Sequence, residues 1–92
     1  MYRLITTPQF KKDFKKVKNN PSLYSATMAV LNILRDKGVK GVPKSMRPHR
    51  LKGRYKDNWE CHIKPDLLII WIQIDEEGII RLVRLGSHSN LF

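Results

Sequence analysis

The stretch LLIIWIQI, Leu67–Ile74, decides the fold because it is apolar at consecutive positions and not only at alternate ones. A strand exposed on one face alternates apolar and polar residues, whereas a strand covered on both faces is apolar almost throughout. Its length and its β-branched residues favour a strand over a helix. The stretch therefore predicts a central strand with cover on both sides of the sheet.

The segments on either side of this stretch predict its neighbours in the sheet. In NWECHIK, Trp59, Cys61 and Ile63 alternate with polar residues, which is the period of a strand. A Pro-Asp turn joins this segment to the central strand, and a DEEG turn leads on to IIRLVRL, residues 79–85. We therefore expect a three-stranded antiparallel meander in the second half of the chain.

The first part of the chain predicts a short strand, YRLIT, followed by two helices. Thr7 is typical of an N-cap and Pro8 of a first helical position. Phe10, Phe14 and Val17 then follow at the spacing of one apolar helix face. The first helix should therefore pack this stripe against the sheet.

The second helix is expected to begin near Ser22, as its N-cap, and to end at Gly38. Residues 38–55 show no sustained period and are predicted to form a long loop, a feature that is often functional in so small a domain. The predicted fold class is α+β, with an N-terminal strand and a two-helix hairpin packed on an antiparallel sheet. We expect residues 1–92 to form a single domain.

Positive charge is concentrated in the first part of the chain. Residues 1–58 contain 15 Lys or Arg and 3 acids, residues 59–92 contain 3 and 5, and the net charge is +10. This asymmetry predicts a polyanionic partner, either nucleic acid or an acidic protein, although a solvated lysine-rich surface is the alternative. The candidate substrate-binding residues are those of the cluster RPHRLKGRYK and one arginine of the last strand: Arg47, Arg50, Lys52, Arg54, Lys56 and Arg81.

The single cysteine, Cys61, excludes an internal disulfide and a paired-thiol site. No apolar run reaches the length that spans a bilayer, and the N-terminus lacks the apolar stretch of a signal peptide. These features predict a soluble cytoplasmic protein.

Three histidines are the candidates for acid–base chemistry: His49 in the basic loop, His62 on a strand and His88 in the tail. In a meander, the start of the central strand and the end of the last strand lie at the same edge of the sheet. That edge would bring together His62, Asp66, Arg84 and His88, with the His49 loop able to fold over them.

Such a group suits the cleavage of RNA. Histidine exchanges protons near neutral pH, so two histidines and an aspartate can deprotonate a ribose 2′-OH and protonate the leaving 5′ oxygen. Neighbouring cations stabilise the charged phosphorane. This chemistry needs no cofactor and no metal; a metal site formed by the same side chains stays possible, but nothing in their spacing requires it.

Three motifs, in order, resemble those of the RelE/ParE toxin superfamily, and of its YafQ-like branch of ribosome-dependent mRNA interferases most of all. They are HRLKG (residues 49–53), WECHIKPDLLIIW (59–71) and RLVRLGSHSNLF (81–92). The resemblance implies a microbial ribonuclease-like fold. It implies acid–base or substrate-positioning roles for four side chains, a phosphate-stabilising cation and a base-stacking aromatic: His49, His62, Asp66 and His88, then Arg84, then Phe92.

The resemblance also implies partners: the ribosome, mRNA and an acidic antitoxin, in a complex of two toxins with two antitoxins. Two other functions stay open, a ParE-like inhibitor of DNA gyrase and a non-catalytic nucleic-acid-binding module. For Phe92, the alternative to base stacking is an apolar plug at the sheet edge.

Overall fold

The computed structural model describes residues 1–92. Its sheet and covering helices are formed by segments from the whole chain. The strands are β1 (Arg3–Thr6), β2 (His49–Arg50), β3 (Trp59–Lys64), β4 (Leu67–Ile74) and β5 (Ile79–Gly86). The helices are α1 (Pro8–Lys18), α2 (Pro21–Lys37) and α3 (His88–Leu91). None of the helices is long and apolar enough to cross a membrane.

The strand order is β1-β5-β4-β3-β2, which places β4 at the centre of the sheet as predicted. The antiparallel meander of β3, β4 and β5 is also as expected. β1, however, lies parallel to β5, so the sheet is mixed. No tight turn joins β1 to β5, and the antiparallel direction that a hairpin imposes is therefore absent from this pair.

The two long helices begin with side-chain caps. Thr7 accepts a hydrogen bond from the backbone N–H of Phe10 at 3.1 Å, as its sequence position predicts. At the second helix the expected cap, Ser22, is wrong. Asn20 accepts from the N–H of Leu23 at 3.2 Å instead, because Pro21 takes the first helical position and Asn20 precedes it.

One face of the sheet packs against α1 and α2 through a core of 14 buried residues. Trp71 of β4 and Cys61 of β3 are fully buried in it. Trp59 is only half-buried at the edge of this core, where the guanidinium of Arg50 lies 5.5 Å from the centre of its ring. The helices therefore close this face of the sheet almost completely.

The opposite face of β4 is covered by much less. Leu68 and Ile70 are nearly or fully buried there, beneath Leu91 of α3 and beside residues of the 51–55 segment. That segment belongs to the predicted long loop, residues 38–55, which contains three 3-10 turns and the two-residue strand β2. The expected cover is thus present on both sides of β4, and the loop and the tail supply it on this side.

Candidate functional site

Strand pairing gathers the predicted site residues on the sheet face opposite α1 and α2. One row across the sheet runs from His49 through Glu60 and Ile70 to Arg84. The next row runs from His62 through Leu68 to Gly86. Residues directly opposite each other share a face, and two strand spacings separate His62 from Gly86 by about 10 Å.

The tail is packed down at the end of this face. Ser87 caps α3 by accepting a hydrogen bond from the N–H of Asn90 at 3.2 Å, and Leu91 is only 1% exposed. Leu91 therefore supplies the apolar plug that was considered for Phe92. Phe92 itself is 53% exposed.

Phe92 connects two other side chains of the site. Its ring lies 5.0 Å from the ring of His88 and makes an edge contact with Tyr55 at 5.6 Å. The hydroxyl of Tyr55 in turn accepts a hydrogen bond from Nη1 of Arg84 at 3.5 Å. Arg84, Tyr55, Phe92 and His88 therefore form one continuous group.

Arg84 is held by a buried carboxylate from α1. Its Nε donates to Oδ2 of Asp13 at 2.8 Å, and its Nη2 donates to Oδ1 at 3.3 Å. The Asp13 side chain is 8% exposed and that of Arg84 is 18% exposed. The hydrogen bonds to Asp13 raise the pKa of Arg84, although burial opposes them, so the guanidinium stays charged.

His49 is placed between two hydrogen-bond acceptors. Its Nδ1 lies 2.7 Å from the carbonyl oxygen of Arg47, and its Nε2 lies 3.2 Å from Oε1 of Glu60. A carbonyl and a carboxylate are both hydrogen-bond acceptors, so each ring nitrogen of His49 faces an acceptor. The Glu60 side chain is 6% exposed, and its second oxygen, Oε2, has no hydrogen-bond partner.

His62 borders a cleft of about 480 Å³ between β3 and the 3-10 turn Lys44–Met46. Arg47 and Lys64 also line this cleft, and no acidic residue does. Arg47 has a left-handed backbone (φ 53°) that brings it to the rim, next to His49. The cleft beside His62 is therefore lined by basic side chains and by no acidic ones.

The structure places Asp66 near Arg84, as the sequence predicted, but does not hydrogen-bond it to a histidine. It is exposed in the turn between β3 and β4, and no hydrogen bond or ion pair joins it to a histidine. It lines a second cleft, of about 410 Å³, together with Asp13, Lys16 and Arg84. Asp66 therefore lies on the Arg84 side of the site, next to the tail.

The basic residues predicted to bind substrate are all exposed: Arg47, Arg50, Lys52, Arg54, Lys56 and Arg81. Five of them lie within residues 47–56, in or next to the 51–55 segment that packs over β4. The guanidinium of Arg54 lies 5.5 Å from the centre of the Tyr55 ring, which places this charge close to the aromatic group of the site. The cluster RPHRLKGRYK is therefore arranged around the site.

Sequence reasoning left out two buried carboxylates, Asp13 and Glu60. Asp13 follows Phe10 by three residues and precedes Phe14 by one, so it stands within the apolar stripe of α1 among exposed lysines. An acid at a core position of a helix is a signal for a buried partner. Glu60 lies on the same face of β3 as His62, whereas the neighbouring buried residues Cys61 and Ile63 lie on the other face. Tyr55 packs on the cluster of Leu68, Ile70 and Leu91, and its hydroxyl accepts a hydrogen bond from Arg84.

The structure contains no group of three or more His, Cys, Asp or Glu side chains that could hold a metal ion. His49 and Glu60 pair with each other, while His88 packs on Phe92. The histidine and carboxylate side chains that were candidate metal ligands in the sequence are thus spread over the site and do not converge on one point.

The fold and the site together define a small basic α+β protein with three histidines around one open sheet face. The sequence model of the family described as "Bacterial toxin of type II toxin-antitoxin system, YafQ" matches residues 2–92. The chain belongs to this family, which confirms the resemblance found in the sequence.

Individual relatives agree with the family. The "mRNA interferase toxin YafQ" of Escherichia coli strain K12 is 28% identical over 89 residues, which cover 91% of this chain and 88% of the relative. Its name agrees with the predicted class of enzyme, an endoribonuclease. A "metal-bound toxin from Helicobacter pylori" is 37% identical in structure-based comparison, with a TM-score of 0.86 and full coverage of both chains.

The toxin chain of an "E.coli DinJ-YafQ complex" shares the fold, with a TM-score of 0.86 at 23% identity, covering 100% of this chain and 99% of that one. These matches confirm the predicted fold class, with the parallel pairing of β1 as an added feature.

Proposed function

We propose that this chain is a ribosome-dependent mRNA interferase that cleaves mRNA by general acid–base catalysis. The observation that carries the proposal is the shared open face of the sheet. On this face, one row of paired residues runs from His49 to Arg84, and the next row begins at His62. Helix α3 places His88 at the Arg84 end of these rows. Proton donors, proton acceptors and a fixed cation on one accessible face are what phosphodiester transesterification requires.

In this mechanism the 2′ oxygen attacks the phosphorus and the bond to the 5′ oxygen breaks. One of His62 and His88 takes the 2′-OH proton. The other, as an imidazolium, gives a proton to the 5′ oxygen, which leaves a 2′,3′-cyclic phosphate. His49, held with both ring nitrogens directed at acceptors, and Arg84 stabilise the charge of the phosphorane. Asp66 orients substrate near Arg84. No step in this scheme uses a metal or another cofactor.

Phe92 is proposed to stack on a base of the mRNA. Its ring is 53% exposed while Leu91 anchors the same short helix, so the aromatic face is both fixed and accessible. Base–aromatic stacking of this kind holds single-stranded nucleotides with little dependence on sequence.

The exposed basic residues around the face are proposed to bind phosphates of mRNA and ribosomal RNA. The acid-free cleft beside His62, with Arg47 and Lys64 on its rim, suits a phosphate next to the scissile one. Binding of this type weakens steeply with added salt, because each neutralised phosphate releases counterions. A net charge of +10 on 92 residues fits such a partner.

An antitoxin is the second proposed partner, as in the DinJ-YafQ toxin-antitoxin complex, and we propose that it is acidic. We propose a complex of two toxins and two antitoxins that forms in the cytoplasm, where the ribosomes are. The same positive surface attracts both an acidic protein and RNA, so the antitoxin would compete with the ribosome for it.

The test is cell-free translation with the purified protein, followed by mapping of the mRNA ends. We expect discrete cuts within codons on translating ribosomes, lost in His88→Ala and unchanged in Ser89→Ala, a matched change in the same helix. Cleavage should persist when EDTA is added below the magnesium concentration, so that transition metals are chelated while the pre-formed ribosome complexes stay intact. Intact mRNA with failed DNA supercoiling would move the function to gyrase inhibition, and intact mRNA with RNA binding alone would leave a non-catalytic module.

A further inference from the structure

Asp13 is the only acidic residue of α1, and it lies beside the part of β5 that does not pair with β1. β1 pairs with β5 only as far as Leu82, so the outer edge of β5 beyond that residue lacks a strand partner. Side chains of the α1 region replace the missing strand. Thr7 donates to the carbonyl of Val83 at 3.2 Å, and Asp13 accepts from the N–H of Leu85 at 2.9 Å.

The same carboxylate also holds the guanidinium of Arg84 by two hydrogen bonds, at 2.8 Å and 3.3 Å. These bonds use Nε and Nη2. The third nitrogen, Nη1, points to the hydroxyl of Tyr55, whose ring contacts Phe92. Asp13 thus fixes which edge of the guanidinium faces the other site residues.

Electrostatics alone does not explain a carboxylate at this place. A negative charge beside Arg84 weakens the attraction of that arginine for a phosphate, and a buried carboxylate is costly to desolvate. A fixed geometry is the compensating gain, because an arginine side chain has many rotamers and a paired one has a single orientation.

We propose that Asp13 is a positioning residue for Arg84: it anchors the guanidinium to the free edge of β5 and directs Nη1 toward the scissile phosphate. This inference rests on the proposed function, in which Arg84 stabilises the phosphorane. It assigns to α1, which otherwise supplies the apolar stripe of the core, one side chain of the site.

Asp13→Asn tests the proposal because asparagine keeps the size of the side chain and can still accept from the N–H of Leu85. The measurement is the rate of mRNA cleavage at increasing concentrations of programmed ribosomes, giving kcat and KM separately. We expect kcat to fall by about 10-fold to 100-fold, since small misplacements of a catalytic group cost this much, while KM is unchanged or lower. Asp36→Asn, in an exposed ion pair with Arg35, is the control and should leave both values unchanged.

A double-mutant cycle separates positioning from a general structural effect. In an Arg84→Ala background, Asp13→Asn should change kcat less than about twofold, because coupled residues lose their effect when the partner is gone. An equal loss of kcat in both backgrounds would overturn the proposal. So would a lower KM with an unchanged kcat, which is the result expected of the charge alone.

Two further measurements keep the test independent of folding and of the proposed function. If Asp13→Asn does not fold, Asp13→Glu retains the charge and displaces it by one methylene, and the same fall in kcat is expected. Solvent exchange of the Arg84 Nε–H, followed by NMR, should become faster in Asp13→Asn and not in Asp36→Asn. A wild-type protein without cleavage activity but with this exchange pattern would refute the proposed function and not the anchoring of Arg84, whereas unchanged exchange would refute the anchoring.

Discussion

The two faces of β4 are both buried, but by very different parts of the chain. On one face, Ile69 and Trp71 lie in a core of 14 residues that the two long helices cover. On the other face, Leu68 and Ile70 form a cluster with Leu91 alone, to which a few half-buried neighbours are added. The helical face is a folding core, and the other face is a small core built together with the site.

This difference links stability to function on one face only. The segments that cover Leu68 and Ile70 also carry His49, Phe92 and His88. On the helical face, Asp13 at the sheet edge is the side chain that reaches the site. Damage to the helical core should therefore unfold the protein, whereas damage to the small core should first loosen the site.

The largest expected effect comes from Trp71→Ala. A fully buried tryptophan in the helical core should cost about 3–5 kcal/mol in the free energy of unfolding, measured by urea denaturation. Nuclease activity should fall only in proportion to the unfolded fraction and return at low temperature or with a stabilising solute. A loss of activity in fully folded protein would contradict the separation of the two faces.

Leu91→Ala should have the next largest effect on stability, and it should lower activity more than Trp71→Ala does. Deleting a buried leucine costs about 2–5 kcal/mol, and the low end is expected here because α3 can detach while the sheet stays folded. Cleavage should fall further than the folded fraction, since His88 and Phe92 lose their anchor. Leu91→Ile, which conserves volume, is the control; equal loss of stability and activity would refute the local loosening.

Cys61 reports the opening of the helical face. Burial raises the pKa of its thiol to about 12, and the charge of Glu60 adds to this effect. Because the thiolate is the reactive form, an alkylating reagent at pH 8 should modify Cys61 only when the helical face opens. We expect Trp71→Ala to accelerate alkylation at least tenfold, by the stability it removes, and Leu91→Ala to change it little. Equal acceleration in both variants would show that the two faces open together.

The smallest expected effect lies at the opposite end of the sheet. Tyr2 donates to Asp75 at 2.7 Å, and Gln73 donates to the same oxygen at 3.0 Å; these bonds lower the pKa of Asp75. A lowered carboxyl pKa adds stability above the unfolded value, about 4, that disappears as the pH falls through the folded value.

Tyr2→Phe should therefore lower the thermal midpoint slightly at pH 6, and the difference from wild type should shrink toward pH 2. Tyr24→Phe, at an exposed tyrosine, is the matched control. Nuclease activity should not change, since this network lies away from the histidines. A difference that grows toward low pH would contradict the assigned role of Asp75.

Local patterns in the sequence predicted the elements well. The period of IIRLVRL, the Thr7 cap and the consecutive apolar residues of β4 each depend on neighbours along the chain. The expected cap Ser22 failed through a local detail: Pro21 suits the first helical position, so the cap is Asn20, two residues before Ser22. The candidate histidines were also apparent from the sequence, because their types and motifs are local.

The amino-acid sequence by itself determined the order of β1, the two long helices and the strands β3 to β5, the central place of β4, the family and the residue types available for chemistry. Only the tertiary structure decided that β1 runs parallel to β5, that the short elements β2 and α3 form, and that Leu91 and not Phe92 closes the small core. It alone pairs Asp13 with Arg84 across 71 positions of the chain. Contacts of this kind depend on which distant segments share an edge or a face, and no local period carries that information.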